Sequence, residues 1–468
     1  MSFSRGYAAP PPITIRAPDE DEPQTSTGLF GFLDGINKSS TLLGDMWGLR
    51  TLLSRFGISL AIQETSEYLG NVTGGTKTGG VYEGLTQVVL QLNTQRAFDL
   101  YGGLLNVSML NVHGGNLSTE NLQTLQTASG IEADPATRLW ELWYDQKFVD
   151  EDRLDVKIGQ QSLDQEFMVS TNALYFVNTM FGWPMLPSAD LPGGGPAYPL
   201  SALGARIGVR PINGLTVLAG VFNGTPVKND NGTDPQHQNR SGTSFPWGDG
   251  QLAIAELQFS YPALGSMVEP GQTKPLGWTY RVGAWYNSED FPDQRIDQNG
   301  LSLADPASNG IPKQHHGNYA FYAVADQLVW VDEQDPNRTV AVFARAMGTP
   351  LKDRNLINFS LNAGMLFHSP FRYRAADTFG IGLGYAHVSG QASQLDRDTN
   401  AFGGTPGPIR SSETFIELTY QYQLKPWIQL QPDIQYVFNP GAGIPEPNSP
   451  SQRIKNELVI GIRTNISF

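Results

Sequence analysis

Apolar and polar residues alternate with a period of two along most of this chain. Within residues 354–366, the odd positions from Ile357 to Met365 are apolar, and the even positions between them are Asn, Ser or Gly. Successive side chains of a β-strand point to opposite faces, so this spacing predicts strands with one apolar and one polar face. The same alternation recurs in residues 377–388, 412–424 and 456–468.

Counting these and the similar segments gives about sixteen strands. The sequence therefore predicts an all-β fold, a closed antiparallel transmembrane barrel. Most strands run to roughly ten residues or more, enough to cross a bilayer at a tilt, whereas soluble β-sandwiches and propellers have strands of about 5–6 residues. Short turns alternate with long loops, except near 262–275 and 348–353, which places both termini at the short-turn, periplasmic side. The other strands are predicted near 58–69, 81–92, 103–113, 137–148, 153–161, 203–212, 214–224, 249–261, 276–288, 318–330, 338–347 and 427–438.

Three parts of the chain differ in composition. Residues 1–38 are rich in Pro and acidic residues, which predicts a flexible, solvated segment. Residues 39–57 repeat apolar residues at helical spacing and predict a short amphipathic helix at the periplasmic mouth, either packed on the protein or acting as a plug. Residues 58–468 form the predicted barrel. The first residues lack the apolar region of a signal peptide, which leaves open whether one was removed.

Composition excludes several classes of function. The net charge is −14, which argues against nucleic acid as a partner because phosphate contacts need a basic face. Cys is 0, which removes disulfides, thiolate metal sites and Cys nucleophiles. The adjacent His315 and His316 do not have metal-ligand spacing, and the acidic loop 288–317 does not have the spacing of a calcium loop. With no nucleophile elbow or phosphate loop in the sequence, we predict no enzyme activity, no cofactor and no metal.

The strand alternation also predicts which side chains line the lumen. Lipid-facing positions must be apolar, and an Arg or Lys there costs about 2–4 kcal/mol near the bilayer midplane. The other register therefore faces inward; it also places Trp330, Gln421, Gln429, Gln431 and Asn465 in the lumen. The pore-lining candidates are Glu141, Trp143, Lys157, Asp164, Glu166, Trp183, Arg206, Glu256, Arg281, Trp285 and Arg345.

These candidates carry both signs of charge, whereas a strict ion pore favours rings of one sign. Carboxylates and guanidinium groups can bind hydroxyls, and a sugar C–H face can lie on an indole ring. The set therefore suits a neutral polyhydroxy solute: Arg206, Arg281 and Arg345 would donate, Glu141, Glu166 and Glu256 would accept, and Trp143, Trp183 or Trp285 would stack. In the alternative interpretation, the charges only pair with one another and solvate the wall.

The segment from about 162 to 202 is too long and too apolar for a solvated loop tip. We predict that it folds into the barrel as a constriction; an outside cap or an oligomer contact is the alternative. Its carboxylates Asp164 and Glu166 could also suggest glycoside hydrolysis, but a lumen position explains them equally well. A separate prediction concerns Pro432, which should mark a bulge or a gap in strand pairing because Pro lacks a backbone donor.

Several stretches together resemble the carbohydrate-selective porin family, the OprB-type glucose porins of Gram-negative outer membranes. They include LLGDMWGLRTLLSRFGISL (42–60), GGVYEGL (79–85), RLWELWYDQKF (138–148), IGQQSLDQEFMVS (158–170), FGWP (181–184) and LQPDIQYVFNPGA (430–442). The resemblance covers nearly the whole chain after about residue 30. It implies passive diffusion of glucose and related monosaccharides. A general or organic-acid-permeable porin, or a barrel-borne enzyme or adhesin, stays as the alternative.

The same resemblance implies a multi-pass protein of the cell outer membrane, in contact with its lipid and lipopolysaccharide. Leu458, Ile460, Ile462 and Ile466 would face lipid on the closing strand, and the terminal Phe468 would belong to the periplasmic aromatic girdle. In outer-membrane barrels generally, such a residue is also read by the assembly machinery, so deleting Phe468 should impair insertion before transport. Whether the protein is a monomer or a homo-oligomer stays open.

Overall fold

Sixteen strands of the computed structural model form one closed antiparallel barrel. The structure describes residues 39–148, 152–228, 234–262, 276–404 and 406–468, so the predicted flexible segment 1–38 lies outside the described residues. The barrel strands are β1 (Ile58–Thr73), β2 (Gly79–Asn93), β3 (Gly103–Gly114), β4 (Ala136–Phe148), β5 (Leu154–Gln161), β6 (Ala202–Ile212), β7 (Leu215–Asn223), β8 (Gln251–Tyr261), β9 (Trp278–Asp297), β10 (Pro312–Val331), β11 (Thr339–Gly348), β12 (Ile357–His368), β13 (Thr378–Val388), β14 (Ser412–Lys425), β15 (Ile428–Phe438) and β18 (Glu457–Ser467).

The remaining elements lie in the connections. The strands β16 (Pro445–Glu446) and β17 (Ser449–Arg453) form a separate two-stranded hairpin between β15 and β18. None of the helices among the described residues is long and apolar enough to cross a membrane. The helices are α1 (Leu49–Arg55), α2 (Thr94–Phe98), α3 (Met185–Asp190), α4 (Pro235–Gln238) and α5 (Gly390–Gly403).

The prediction of about sixteen strands is confirmed, and each predicted strand is present, most with ends displaced by a few residues. The exceptions are β9, which continues to Asp297 where 288 was predicted, and β10, which begins at Pro312 where 318 was predicted. Each strand pairs with its neighbours in the sheet, and β1 pairs with β18 to close the barrel. The alternation works as expected in β18, where Arg463 and Val459 are buried inside while Ile460 and Ile462 are exposed outside. Long loops leave one end of the barrel, and the start of β1 and the end of β18 lie at the other.

The strand pairing is irregular at two places for which the sequence made predictions. A bulge between Leu328 and Trp330 shifts the register, so Trp330 pairs with the outward Val340. The prediction of Trp330 in the lumen is therefore wrong, because one extra residue reverses the face of every side chain beyond it. The prediction for Pro432 is confirmed: pairing between β14 and β15 skips this residue, whereas pairing with β18 continues through it.

The N-terminal segment lies against the end of the barrel where the chain finishes. Its helix α1 is shorter than the predicted 39–57, because residues 41–48 form turns with Met46 and Trp47 at positive φ. The backbone N–H of Leu42 donates to Ser467 O at 2.7 Å, and the Arg50 guanidinium donates to the terminal Phe468. Leu52 and Phe56 stay exposed, so the apolar side of α1 is not packed into the barrel core.

The largest hydrophobic cluster lies inside the barrel, where the segment 162–201 packs against the inner wall. Phe176 and Phe181 of this segment stack with ring centroids 4.4 Å apart. They face the inward glycines of β13: a Cβ at Gly380 would come within 3.0 Å of the Phe176 ring, and one at Gly382 within 2.5 Å of Phe181. The absence of side chains at these inward positions therefore makes room for the two aromatic rings.

Candidate functional site

The inward segment 162–201, called here the constriction loop, begins where β5 ends. Glu141 on β4 accepts a hydrogen bond from the Ser162 backbone N–H at 3.0 Å. Asp164 accepts from Ser162 Oγ at 2.6 Å and from the Tyr198 N–H at 3.0 Å, which ties the two ends of the loop together. Burial raises the pKa of Asp164 to about 6. The carboxylates of Glu141 and Asp164 are both buried, and their hydrogen bonds fix the two ends of the constriction loop at the barrel wall.

The far wall holds the loop through its backbone. The Arg345 guanidinium donates to the carbonyls of Met168 at 2.8 Å and Gly182 at 2.9 Å, and also to Met180. Glu256 accepts from the Met168 N–H at 2.8 Å and from Tyr322 Oη at 2.9 Å. Buried polar groups must find partners, and here the wall and the loop satisfy each other.

Several predicted sugar contacts are instead buried in the wall or under the loop. Trp183 is 0% exposed and donates to Gly194 O at 2.9 Å, within the loop itself. Trp285, Glu256 and Arg345 are also buried beneath or against the loop. Arg281 is likewise engaged in the wall, since it donates to Asp326 Oδ2 at 2.9 Å. These side chains point inward as predicted, but the constriction loop covers the positions where a solute would have to touch them.

The structure brings together the other predicted residues on strands β4 to β6. Lys157 and Arg206 both pair with Glu166 of the constriction loop, the latter at 2.7 Å from Nε to Oε2. Lys157 Nζ also lies 4.2 Å from the centre of the Trp143 ring. Three cations thus meet three carboxylates in what we call the charge ladder: Asp145, Asp155, Lys157, Glu166, Arg206 and Arg210.

A polar cavity of about 440 Å³ opens at a different part of the inner wall, on strands separated from the charge ladder by β2 and β3. It lies between residues 171–175 of the constriction loop and the short-turn ends of β14, β15, β18 and β1. Its wall carries a set of amides that we call the amide wall: Gln421, Gln423, Gln429, Gln431 and Asn465. Arg463 is the one charged residue among the described lining residues, and it pairs with Glu67.

The amide wall is ordered by its own hydrogen bonds. Thr65 donates to Asn465 Oδ1 at 2.8 Å, and Asn465 Nδ2 donates to Gln429 Oε1 at 3.2 Å. Gln429 Nε2 then donates to the side-chain oxygens of Gln421 and Gln423, each at 3.3 Å. The strand register predicts that several of these residues face inward, but nothing in the sequence shows that they share one cavity.

The sequence reasoning missed a second inward segment, residues 115–135. Glu413 on β14 accepts from the N–H groups of Leu125 at 2.9 Å and Gln126 at 2.7 Å. Gly130 N–H in turn donates to Val177 O of the constriction loop at 2.8 Å. The buried Leu117, Leu122 and Ile131 were the available signal, since a solvated loop has no reason to carry them.

The acidic residues between 288 and 317 are held by local bonds. Asp297 accepts from the Leu301 N–H at 2.8 Å and from Ser308 Oγ at 2.7 Å, and His315 contacts Asp293 at 2.7 Å. Within the described ranges, no group of three or more His, Cys, Asp or Glu residues is placed to hold a metal ion.

Comparison with known proteins identifies the family. Residues 77–468 match the carbohydrate-selective porin, OprB family.

The chain belongs to this family.

Porin B of Pseudomonas aeruginosa, a relative of this OprB-family porin, is 24% identical over 450 residues, with 92% of each chain covered. The high-pH structure of Pseudomonas putida OprB has a TM-score of 0.78 at 23% identity and covers 92% of this chain and 99% of that chain. The low-pH structure of the same protein scores 0.54 at 17% identity with the same coverage. The family and the fold together make this chain a porin and an integral outer-membrane protein.

Proposed function

We propose that this OprB-family porin mediates the passive, selective diffusion of neutral monosaccharides, with glucose as the reference solute. One observation carries the proposal: two separate regions of the inner wall are polar without net charge. The charge ladder pairs three cations with three carboxylates, and the amide wall is built from uncharged groups. A hydroxyl-rich solute can donate to and accept from both, whereas an ion finds no ring of one sign.

An organic-acid-permeable porin is the second candidate, because Lys157, Arg206 and Arg210 lie together. The carboxylate partners of these cations argue against an organic-acid channel, since a cation that is already paired attracts an anion only weakly. For the orientation, we propose that the short-turn end, with both termini, faces the periplasm, as short turns do in bacterial outer-membrane barrels. We further propose that the assembly machinery reads Phe468 before its N–H reaches Ile62 O, to which it donates at 2.9 Å.

Liposome swelling with purified full-length protein tests the proposed solute. We expect glucose to enter faster than a neutral solute of matched size, and gluconate to enter more slowly than glucose. Equal rates for glucose and the matched neutral solute would remove sugar selectivity. Faster entry of gluconate would support the organic-acid alternative. Empty liposomes and liposomes with boiled protein give the background rate.

A further inference from the structure

Strands β9 and β10 continue past their neighbours at the long-loop end of the barrel. The pairing of β9 with β8 stops at Asn287, whereas its pairing with β10 continues to Asp297. The pairing of β10 with β11 likewise reaches only Phe321. Residues 288–297 and 312–320 therefore form a two-stranded extension beyond the neighbouring strands, called here the projecting hairpin.

The loop between β11 and β12, residues 349–356, is bound to the root of the projecting hairpin. Asn318 Nδ2 donates to Asn355 Oδ1 at 2.6 Å, and Asn355 Nδ2 donates back to Asn318 Oδ1 at 2.9 Å. The Gln294 backbone N–H donates to the backbone oxygen of Asp353 at 2.7 Å. Amide groups do not gain or lose protons near neutral pH, so this part of the contact is the same at every physiological pH.

His315 adds a titratable group to the same contact. Its Nε2 lies 2.7 Å from Asp293 Oδ2 on the other strand of the hairpin, and its Nδ1 lies 3.7 Å from Asp353 Oδ2 of the loop. The imidazole side chain is only 14% exposed. A histidine changes its charge between about pH 5 and 8, and its protonated ring is a donor at both nitrogens. Only the protonated ring can therefore bind both carboxylates at once.

Each carboxylate keeps other partners when His315 is neutral. Asp293 Oδ1 accepts from two backbone N–H groups of its own strand, at 2.8 Å each. Asp353 pairs with the Arg354 guanidinium at 3.0 Å, within its own loop. Arg354 also donates to Gly317 O of the hairpin at 2.7 Å, and this bond does not depend on the charge of the ring. A neutral ring thus leaves both carboxylates satisfied, and a protonated ring adds one charge that joins them.

The neighbouring histidine lacks this arrangement. Among the described residues, carboxylates reach His315 from two elements, Asp293 on β9 and Asp353 on the loop. His316 is 73% exposed, and its Nδ1 lies 3.1 Å from Asp290 of the same hairpin. Protonation of His316 therefore adds a charge pair within the hairpin, whereas protonation of His315 adds one between the hairpin and the loop.

The loop 349–356 also leads to the constriction loop. The backbone N–H groups of Leu356 and Ile357 donate to Asp190 Oδ1 at 2.8 and 3.2 Å. Asp190 is the last residue of α3, which lies in the constriction loop and packs against β12. A change in the mobility of this loop is therefore passed to the constriction loop through a short stretch of chain.

We infer that His315 is a pH-sensitive clasp between the projecting hairpin and the loop 349–356. The charged ring draws Asp293 and Asp353 together, and the neutral ring holds at most one of them. The two carboxylates stabilise the charged form, so the clasp is complete at acidic pH and is lost as the pH rises through the titration of the ring. Its loss gives the loop, and with it the anchor of the constriction loop, more freedom. This regulation does not depend on which solute the pore passes.

Paired spin labels measure the clasp directly, because the natural chain has Cys 0. Lys313→Cys on the hairpin and Lys352→Cys on the loop, both at exposed positions, carry the labels in the full-length protein. We expect the distribution of distances between the labels to be narrow at about pH 5 and broad at about pH 8. Adding His315→Gln should give the broad distribution at both pH values. Adding His316→Gln, the matched control, should leave the pH dependence intact.

A distance distribution that is the same at both pH values in the labelled parent would overturn the proposal. So would a pH dependence that survives His315→Gln in a barrel shown to be folded by its different migration when boiled and unboiled. Asp353→Asn removes one of the two carboxylates by a second route and should abolish the pH dependence as well. Current noise in KCl without sugar should rise with pH in the wild type and not in His315→Gln. Equal noise in the two proteins would contradict the link to the constriction loop.

Discussion

The charge ladder on β4 to β6 and the amide wall on β14, β15 and β18 line different parts of one barrel and reach electrical neutrality in different ways. The ladder does so by cancellation, with Lys157, Arg206 and Arg210 set against Asp145, Asp155 and Glu166. The amide wall does so by composition, because Gln and Asn carry dipoles and no net charge. A single substitution in the charge ladder leaves an unbalanced charge, whereas a substitution in the amide wall removes only hydrogen bonds. Substitutions in the ladder should therefore change ion selectivity, and substitutions in the amide wall should change sugar binding.

The largest effect is expected from Arg345→Met, which frees the constriction loop from the wall opposite its base. The substitution leaves the Met168 and Gly182 carbonyls without this donor, at roughly 1–3 kcal/mol for each buried group. Single-channel conductance should rise markedly and sugar block should weaken. Arg338→Met, which removes a short-turn pair with Asp332 at 3.2 Å, is the control. An unchanged conductance in a folded Arg345→Met barrel would show that the loop does not depend on this anchor.

Breaking the charge ladder should change ion selectivity. Arg206→Met leaves Asp155 and Glu166 without their main partner, so the lumen becomes more negative and favours cations. Glu166→Gln should shift selectivity the opposite way, toward anions. Reversal potentials across a KCl gradient measure both. Shifts of the same sign in the two variants would contradict the cancellation of charge on this wall.

Changing the amide wall should alter sugar binding without altering ion selectivity. Gln429 lines the cavity and is only partly buried; its Nε2 donates to Gln421 Oε1 at 3.3 Å, and its Oε1 accepts from Asn465 Nδ2 at 3.2 Å. Gln429→Met should raise the half-blocking glucose concentration by about tenfold, the equivalent of one hydrogen bond of about 1.4 kcal/mol. Gln91→Met, an inward amide outside the cavity, should leave it unchanged. A shifted reversal potential in Gln429→Met would conflict with an uncharged wall.

The smallest effect concerns pH and the segment 115–135. Burial raises the pKa of Glu132 to about 8, against the lowering effect of its bonds from Ser118. A carboxyl group with a raised folded-state pKa stabilises the fold fully at acidic pH and loses that contribution as pH rises from about 4.5 towards 8. Glu132→Gln keeps an acceptor for Ser118 and should flatten the pH dependence of the urea midpoint over this range. Identical pH profiles would exclude Glu132 as its source.

The strands were predictable because the alternation of apolar and polar residues shows on which face of the sheet each side chain lies. It places Lys157, Arg206 and Trp143 on the lumen side, where the structure brings them together with Glu166. The alternation does not show which other segments of the chain pack against the lumen face. Arg345 and Glu256 point inward and yet bind the constriction loop, because the loop carbonyls and N–H groups need partners in the barrel interior.

The same reasoning explains what the sequence could not supply. Trp330 changes face because a bulge depends on pairing between two strands, not on the local pattern. The amide wall joins Gln residues of the β14–β15 hairpin to Asn465 of β18, and its cavity is closed by residues 171–175, which are distant in the chain. Glu64 of β1 and His113 of β3 lie in the outward register, against the rule that outward residues are apolar.

The most direct measurement of the central claim is an experimental structure of the full-length protein with glucose bound. Two neutral polar walls predict sugar density inside the barrel, within hydrogen-bonding distance of Glu166 at the charge ladder or of Gln423 and Gln429 at the amide wall. Density confined to the outer loops, or an anion such as gluconate bound at Arg206 where glucose does not bind, would contradict a lumen built for neutral sugars.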